Sequence, residues 1–187
     1  MTSVASANVP AFRENAYCKH LLRELRSDHA GETGAVYIYK GVLAVTGDSE
    51  MRAFAEEHLQ TELQHLAFFE DWLPACHQSN LIGIWRIAGF ALGAIAGLMG
   101  QRMLGVTINA VETFVVQHDQ QQLDYLNAEG NADEKMLAPI LVHFQADEAK
   151  HRDDAAARMS KLGLLSRAWQ KLVGVGSAAA VTVARRV

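Results

Sequence analysis

The sequence predicts an all-α protein whose centre is a four-helix bundle, and three observations carry that prediction. Half of its 187 residues are hydrophobic, and they recur at helical 3-4-3-4 spacing. Only three residues are proline, and no run of alternating β-branched residues is present. Two Glu-x-x-His pairs, Glu62/His65 and Glu148/His151, each stand on a stripe of otherwise apolar residues.

Taken in order, residues 1–15 read as a loose arm and residues 16–187 as one domain with room for a sizeable core. A first helix is expected from about Tyr17 to Val45, with Leu22, Leu25, His29, Glu32, Val36, Tyr39 and Leu43 along one stripe. Gly31 and Gly34 flank Glu32, where they lower helix propensity and let another helix or a ligand come close. Thr46 to Ser49 is a turn that offers Asp48 or Ser49 as a cap. The second helix then runs to about Leu73 and stops near Pro74, with Met51, Phe54, Phe69 and Trp72 on the stripe of Glu62 and His65. A third long helix carries Ile108, Glu112, Val115 and Leu123 and ends near Asn127. A fourth begins near Asp133 and ends before Gly163, with Leu137, Leu141, Phe144, Ala155 and Met159 on the stripe of Glu148 and His151.

Two further segments differ in character. Fifteen uncharged residues rich in Gly and Ala separate Arg86 from Arg102, and an apolar stretch from Leu172 to Ala184 ends at Arg185-Arg186. Each is shorter than the ~20 residues of a membrane-spanning helix. Residues 81–106 and 172–184 are therefore read as membrane-interface segments, with core packing as the alternative.

The chain repeats weakly. A helix with one buried Glu precedes a helix with Glu-x-x-His, first as Glu32 then Glu62, 30 residues on, and again as Glu112 then Glu148, 36 residues on. Two antiparallel pairs facing each other bring all six residues together at mid-bundle. Polar groups buried on core stripes without a shared partner would each cost several kcal/mol, on the order of 2–7. A common pair of metal ions removes that cost for all six. Carboxylate oxygen and imidazole nitrogen without thiolate suit iron or manganese better than structural zinc. Asp147 is expected to orient a ligand imidazole across the bundle, His65 on the opposite pair. His29 is read as a hydrogen-bonded core histidine, Tyr37 and Tyr39 as packing residues. His118 and Asp119 either line the site or lie on the surface, and His20, His58, His77 and His143 show no pattern.

Composition excludes other classes. The formal net charge of −4 leaves no nucleic-acid footprint. Cys18 and Cys76 form no C-x-x-C, so neither a disulfide framework nor a zinc ribbon is expected. Met1 to Pro10 lacks a basic start followed by an apolar run, so no secretory signal is read and the protein is expected on the cytoplasmic side.

The runs Asp28-His29-Ala30-Gly31-Glu32-Thr33-Gly34-Ala35, Glu62-Leu63-Gln64-His65-Leu66, Val111-Glu112 and Asp147-Glu148-Ala149-Lys150-His151 resemble, in order and spacing, the demethoxyubiquinone hydroxylases of ubiquinone biosynthesis. The resemblance extends from about residue 20 to the last residues. It implies a ferritin-like bundle with two iron ions per subunit, held by Glu32, Glu62, His65, Glu112, Glu148 and His151. It also implies a peripheral enzyme on the cytoplasmic side of the cell inner membrane that inserts one oxygen atom from O2 into the ring of a polyprenylated demethoxyubiquinol. Its expected partners are that quinol, membrane lipid, other ubiquinone-biosynthesis proteins and a second copy of the chain. Many members place His-Tyr shortly after the third Glu; here the pair is His118-Asp119. The competing readings are a ferritin-like iron-storing or metal-scavenging protein, which the apolar segments disfavour, and a di-iron hydroxylase of another substrate such as a tRNA base.

Overall fold

The structure is a computed structural model that describes residues 9–159 and 161–187. Seven α-helices follow one another: α1 (Lys19–Val45), α2 (Ser49–Trp72), α3 (Ile82–Leu98), α4 (Gln101–Ala128), α5 (Ala132–Lys135), α6 (Ala138–Ala157) and α7 (Leu164–Ala184). No strand occurs among the described residues. The architecture is an all-α, ferritin-like bundle whose four long members are α1, α2, α4 and α6.

Local chemistry sets the helix ends. Asp48 accepts the main-chain N–H groups of Glu50 and Met51, each at 2.9 Å, and so starts α2. At the other end α2 gives way at Leu73, directly before Pro74. Gly100, with φ of 86°, makes the sharp corner between α3 and α4 that a residue with a side chain would resist. The fourth helix of the sequence reading is interrupted. Asn131 and Glu134 close a capping box on the single turn of α5, and Pro139 sits in the first turn of α6, where its missing N–H is tolerated.

The core falls into two clusters. One gathers Val36, Tyr39, Val42, Phe54, Leu104 and Ile108; the other gathers Leu21, Leu25, Phe69, Leu126, Leu141 and Phe144. Each bundle helix passes from one cluster to the other, α1 and α6 in one sense, α2 and α4 in the opposite sense. The buried polar residues lie where the clusters meet, at mid-bundle.

The remaining two long helices cover one side of this bundle. α3 packs on α1 with its glycines, and α7 packs on α4 and α1. A Cβ on Gly89 would meet the main-chain oxygen of Gly34, and one on Gly93 that of Ile38, at 2.3 and 1.9 Å, so only glycine permits this approach. The outer faces are largely apolar, interrupted by the exposed Arg86, Arg167 and Lys171: Ile87 and Leu98 on α3 are 73% and 74% exposed, Leu164 and Leu165 on α7 86% and 87%. No helix among the described residues is long and apolar enough to cross a membrane.

The boundaries of these segments need correcting. Residues 101–106 form the first turns of α4, where Leu104 and Val106 are fully buried core while Arg102 stays exposed. The second apolar helix starts at Leu164 rather than 172, because Lys171 points out of a helix that continues on both sides of it. Of the arm expected over residues 1–15, residues 1–8 lie outside the described residues. Residues 9–16 lie against the bundle: Phe12 packs on Tyr17 and Trp72, and the Trp72 indole N–H donates to the Pro10 carbonyl at 2.7 Å. Most of the segment from which no secretory signal was read falls within residues 1–8 and so also lies outside.

Candidate metal centre

Glu32 comes from α1, Glu62 and His65 from α2, Glu112 from α4, Glu148 and His151 from α6. The helical repeat places Glu62 with His65, and Glu148 with His151, one turn apart on the buried face. Their atoms form two overlapping groups. Glu32, Glu62, His65 and Glu148 each offer one atom within 4.8 Å of the others, and so do Glu62, Glu112, Glu148 and His151. Glu62 and Glu148 belong to both groups, so two adjacent cation positions would share two carboxylates.

The distances are short but the hydrogen bonding is incomplete. His65 Nδ1 lies 3.0 Å from Glu148 Oε1 and 3.6 Å from Glu32 Oε2, and His151 Nδ1 lies 3.0 Å from Glu62 Oε1. Even so, both Nδ1 atoms, both Glu62 oxygens, Glu32 Oε2 and Glu148 Oε1 are buried without a hydrogen-bond partner. Lone pairs converging on one another in a dry interior are costly, and a cation among them satisfies all at once. The donor set therefore fits a pair of hard or borderline divalent metals such as iron.

The electrostatics point the same way. Burial raises the carboxyl of Glu32 well above its usual range against the pull of His65. Burial and the neighbouring Glu148 and Glu62 do the same to Glu112. Burial and Glu148 also raise Glu62. Burial alone would raise Glu148 too, but the adjacent rings of His151 and His65 hold it down at about 2. Burial opposes charge on the histidines, yet Glu148 and Glu62 push His151 up to about 10, and Glu32, Asp147 and Glu148 carry His65 higher still. Burial and mutual repulsion thus push Glu32, Glu62 and Glu112 up, while the neighbouring carboxyls push both imidazoles up.

Asp147 faces His65 from the opposite pair. Its Oδ2 lies 3.1 Å from Nε2 of His65, across the bundle, which leaves Nδ1 to face the glutamates. Of the residues left open, His29 is a core histidine whose Nδ1 accepts the Ser79 main-chain N–H at 3.4 Å. Tyr39 is fully buried packing, and Tyr37 is half-buried. His118 is buried, and with Asp119 it lines a cavity of about 430 Å³. Burial, with the charges of Asp28, Glu148 and Glu32, raises Asp119 well above its usual range.

That cavity runs from Glu32, Glu62, Glu112 and Glu148 to walls made by α3 and α7, including Trp85, Leu92, Leu172 and Val181. Its lining is mostly apolar, with Ser27, Asp28, His118 and Asp119 as a polar patch near the glutamates.

His58 escaped the sequence reading. It is fully buried, its ring centroid 4.2 Å from that of His151, and burial with the charge of His151 lowers it to about 3, so it packs as a neutral ring. The signal was available, because His58 stands four residues before Glu62 on the same face.

Comparison with known proteins agrees with this architecture. The family model for ubiquinone biosynthesis protein COQ7 matches residues 19–184, from the first turn of α1 to the last of α7. A 3-demethoxyubiquinol 3-hydroxylase of Rhodospirillum rubrum is 35% identical over 169 residues, covering 88% of this chain and 77% of that one. An NADPH-dependent 3-demethoxyubiquinone 3-hydroxylase, mitochondrial, of Dictyostelium discoideum is 34% identical over 167 residues, 88% and 76% of the two chains. The human protein of that name is 27% identical over 167 residues, 88% and 77%. The match takes in all four bundle helices with their buried glutamates and histidines, and both covering helices, and so the chain belongs to the ubiquinone biosynthesis protein COQ7 family.

Proposed function

We propose that this chain is a 3-demethoxyubiquinol 3-hydroxylase: an O2-dependent monooxygenase that hydroxylates the ring of a polyprenylated methoxy-methyl-benzoquinol in ubiquinone biosynthesis. The observation that carries the reading is the pair of overlapping Glu/His groups at the polar end of an apolar cavity. An iron store would need the metal site but not a cavity that an isoprenoid-bearing ring can enter.

In this reading residues 16–187 act as one catalytic domain with two irons per chain. Glu32, Glu62, His65, Glu112, Glu148 and His151 would hold them, with Glu62 and Glu148 common to both groups. When bound, the iron pair supplies the redox chemistry that activates O2. The protein's own residues do the rest. Asp147 accepts the Nε2 proton of His65 and so keeps the Nδ1 lone pair directed at the metal. Asp119, whose carboxyl is raised well above its usual range by burial and the charge of Asp28, stands at the cavity wall. Leu92, Val115 and Val173 exclude water from the space beside the glutamates. The tail leaves between α3 and α7, whose exposed apolar faces rest on lipid at the cytoplasmic side of the inner membrane.

The test is reconstitution with ferrous iron, followed by reaction with detergent-solubilised demethoxyubiquinol, a reductant and O2. About two irons per chain and a hydroxylated quinol are expected. In Glu148→Ala, at least one iron and the turnover should be lost while helical content stays. Full iron loading with normal turnover in that variant would overturn the ligand assignment. Iron uptake without any quinol product would return the chain to the storage reading.

A further inference from the structure

Asp28 is not among the metal-site glutamates, yet it is one of the most fully engaged carboxylates in the protein on one side and idle on the other. Its side chain is 8% exposed and lines the cavity. Oδ1 accepts the Gln122 amide N–H at 2.8 Å and lies 3.1 Å from His118 Nε2. Oδ2 is buried and has no partner.

The network behind Asp28 fixes which atom is which. Arg185, at the end of α7, holds Glu24 Oε2 through Nη2 at 2.7 Å and Nε at 2.9 Å. The same Nη2 lies 3.4 Å from His118 Nδ1. A guanidinium only donates, so Nδ1 of His118 accepts and the ring proton sits on Nε2, where it donates to Asp28 Oδ1. With the proton on His118 Nε2, the Gln122 NH2 3.0 Å away is a neighbour of the ring and not its hydrogen-bond partner, and it donates to Asp28 Oδ1 instead; Ser27 Oγ stands 3.4 Å from the same nitrogen. Two donors thus hold Oδ1, and the oxygen of this cavity-lining residue left without a partner is Oδ2.

We propose that Asp28 Oδ2 accepts a hydrogen bond from a ring hydroxyl of the bound hydroquinone, making Asp28 the residue that selects the reduced quinol over the oxidised quinone. The inference rests on the quinol reading above and adds the redox state of the ligand to it. A hydroquinone brings an O–H donor to the carboxylate. A quinone brings only carbonyl acceptors, which leave Oδ2 unpaired and face it lone pair to lone pair, and rejection by an unpaired buried polar group is the stronger form of selectivity.

The iron-loaded enzyme, kept free of O2 so that no turnover occurs, tests this by titration with the hydroquinone and quinone forms of one short-tailed methoxy-methyl-benzoquinone. The wild type should bind the hydroquinone tighter by about tenfold or more, the range for a hydrogen bond to a charged group. In Asp28→Asn the donors His118 and Gln122 keep the amide oxygen at the Oδ1 position, so the NH2 takes the Oδ2 position and faces the ligand as a donor. The preference should then reverse toward the quinone. In Asp28→Ala it should collapse toward parity. Iron content should be unchanged in both variants, since neither touches the metal groups. Equal binding of both forms by the wild type, or a preference unaltered in both variants, overturns the role of Asp28 and leaves the quinol reading standing. Binding of neither form by the wild type overturns the quinol reading, and with it this inference.

Discussion

Two carboxylates outside the metal groups show how much a single side chain can set. Asp147 touches His65 and, less closely, the exposed His143 at 3.7 Å. If its main partner is His65, Asp147→Asn removes the acceptor that fixes the ring, and iron affinity measured by chelator competition should fall by roughly 10–100-fold. Unchanged iron retention would show that Asp147 serves only the surface pair. Glu134 is a stability device far from the site. Burial by itself would raise its pKa, but the main-chain N–H groups of Cys18 and Asn131 donate to its two oxygens at 2.8 and 2.9 Å and hold it below the usual 4.5. A depressed carboxyl contributes stability that is present above pH 4.5 and is lost as pH falls through the lower folded value. Thermal unfolding of Glu134→Gln should therefore show a lower melting temperature at neutral pH and a shallower decline toward acid than the wild type. The residues that sequence reading found and missed divide along the same lines. Glu32, Glu62, Glu112, Glu148 and both histidines were legible because phase on a core stripe is a local property. Glu24, Asp28, Gln122 and Arg185 were not, because their partners stand 90 to 161 residues away and only the folded chain brings them together.

At the scale of the element, the contrast between α3 and α7 is informative. Both are apolar and glycine-containing, but their glycines serve different ends. Gly93 of α3 lies against the backbone of α1, so Gly93→Ala should destabilise the protein by about 1–3 kcal/mol through overpacking. Gly174 of α7 has open space where a Cβ would go, and Gly174→Ala should stabilise by about 0.5–1 kcal/mol through helix propensity alone. Equal effects of the two substitutions on the melting temperature would contradict the close α1–α3 approach. Sequence reading saw the composition of both helices and the probable meaning of a glycine beside Glu32. It misplaced their limits because burial of 104–106 depends on α6 and α7 closing over α4, which no window of sequence displays.

For the molecule as a whole, the covering helices put the apolar exterior on one side and so define an orientation. Ile87, Leu98 and Leu165 are among the most exposed apolar side chains of that side, and each contributes about 1.5–3 kcal/mol if it enters hydrocarbon. Replacing all three by Ser should weaken sedimentation with liposomes by at least about a hundredfold. It should also raise KM for a long-tailed quinol while leaving a tail-less analogue nearly unaffected. Equal losses for both substrates would mean that these side chains only support the fold.

The backbone-to-backbone seam between α1 and α3 has a consequence for how such a surface can work. Helices joined by interdigitated leucines are held together largely by the reluctance of water to surround them, and lipid removes that reluctance. Helices joined glycine against carbonyl are held by close-range dispersion and dipolar contact, which act alike in oil and in water. In the proposed membrane-bound state the grip of α1 on α3 would not weaken as the outer face of α3 exchanged one solvent for the other, so the two helices would move onto a bilayer and off it together.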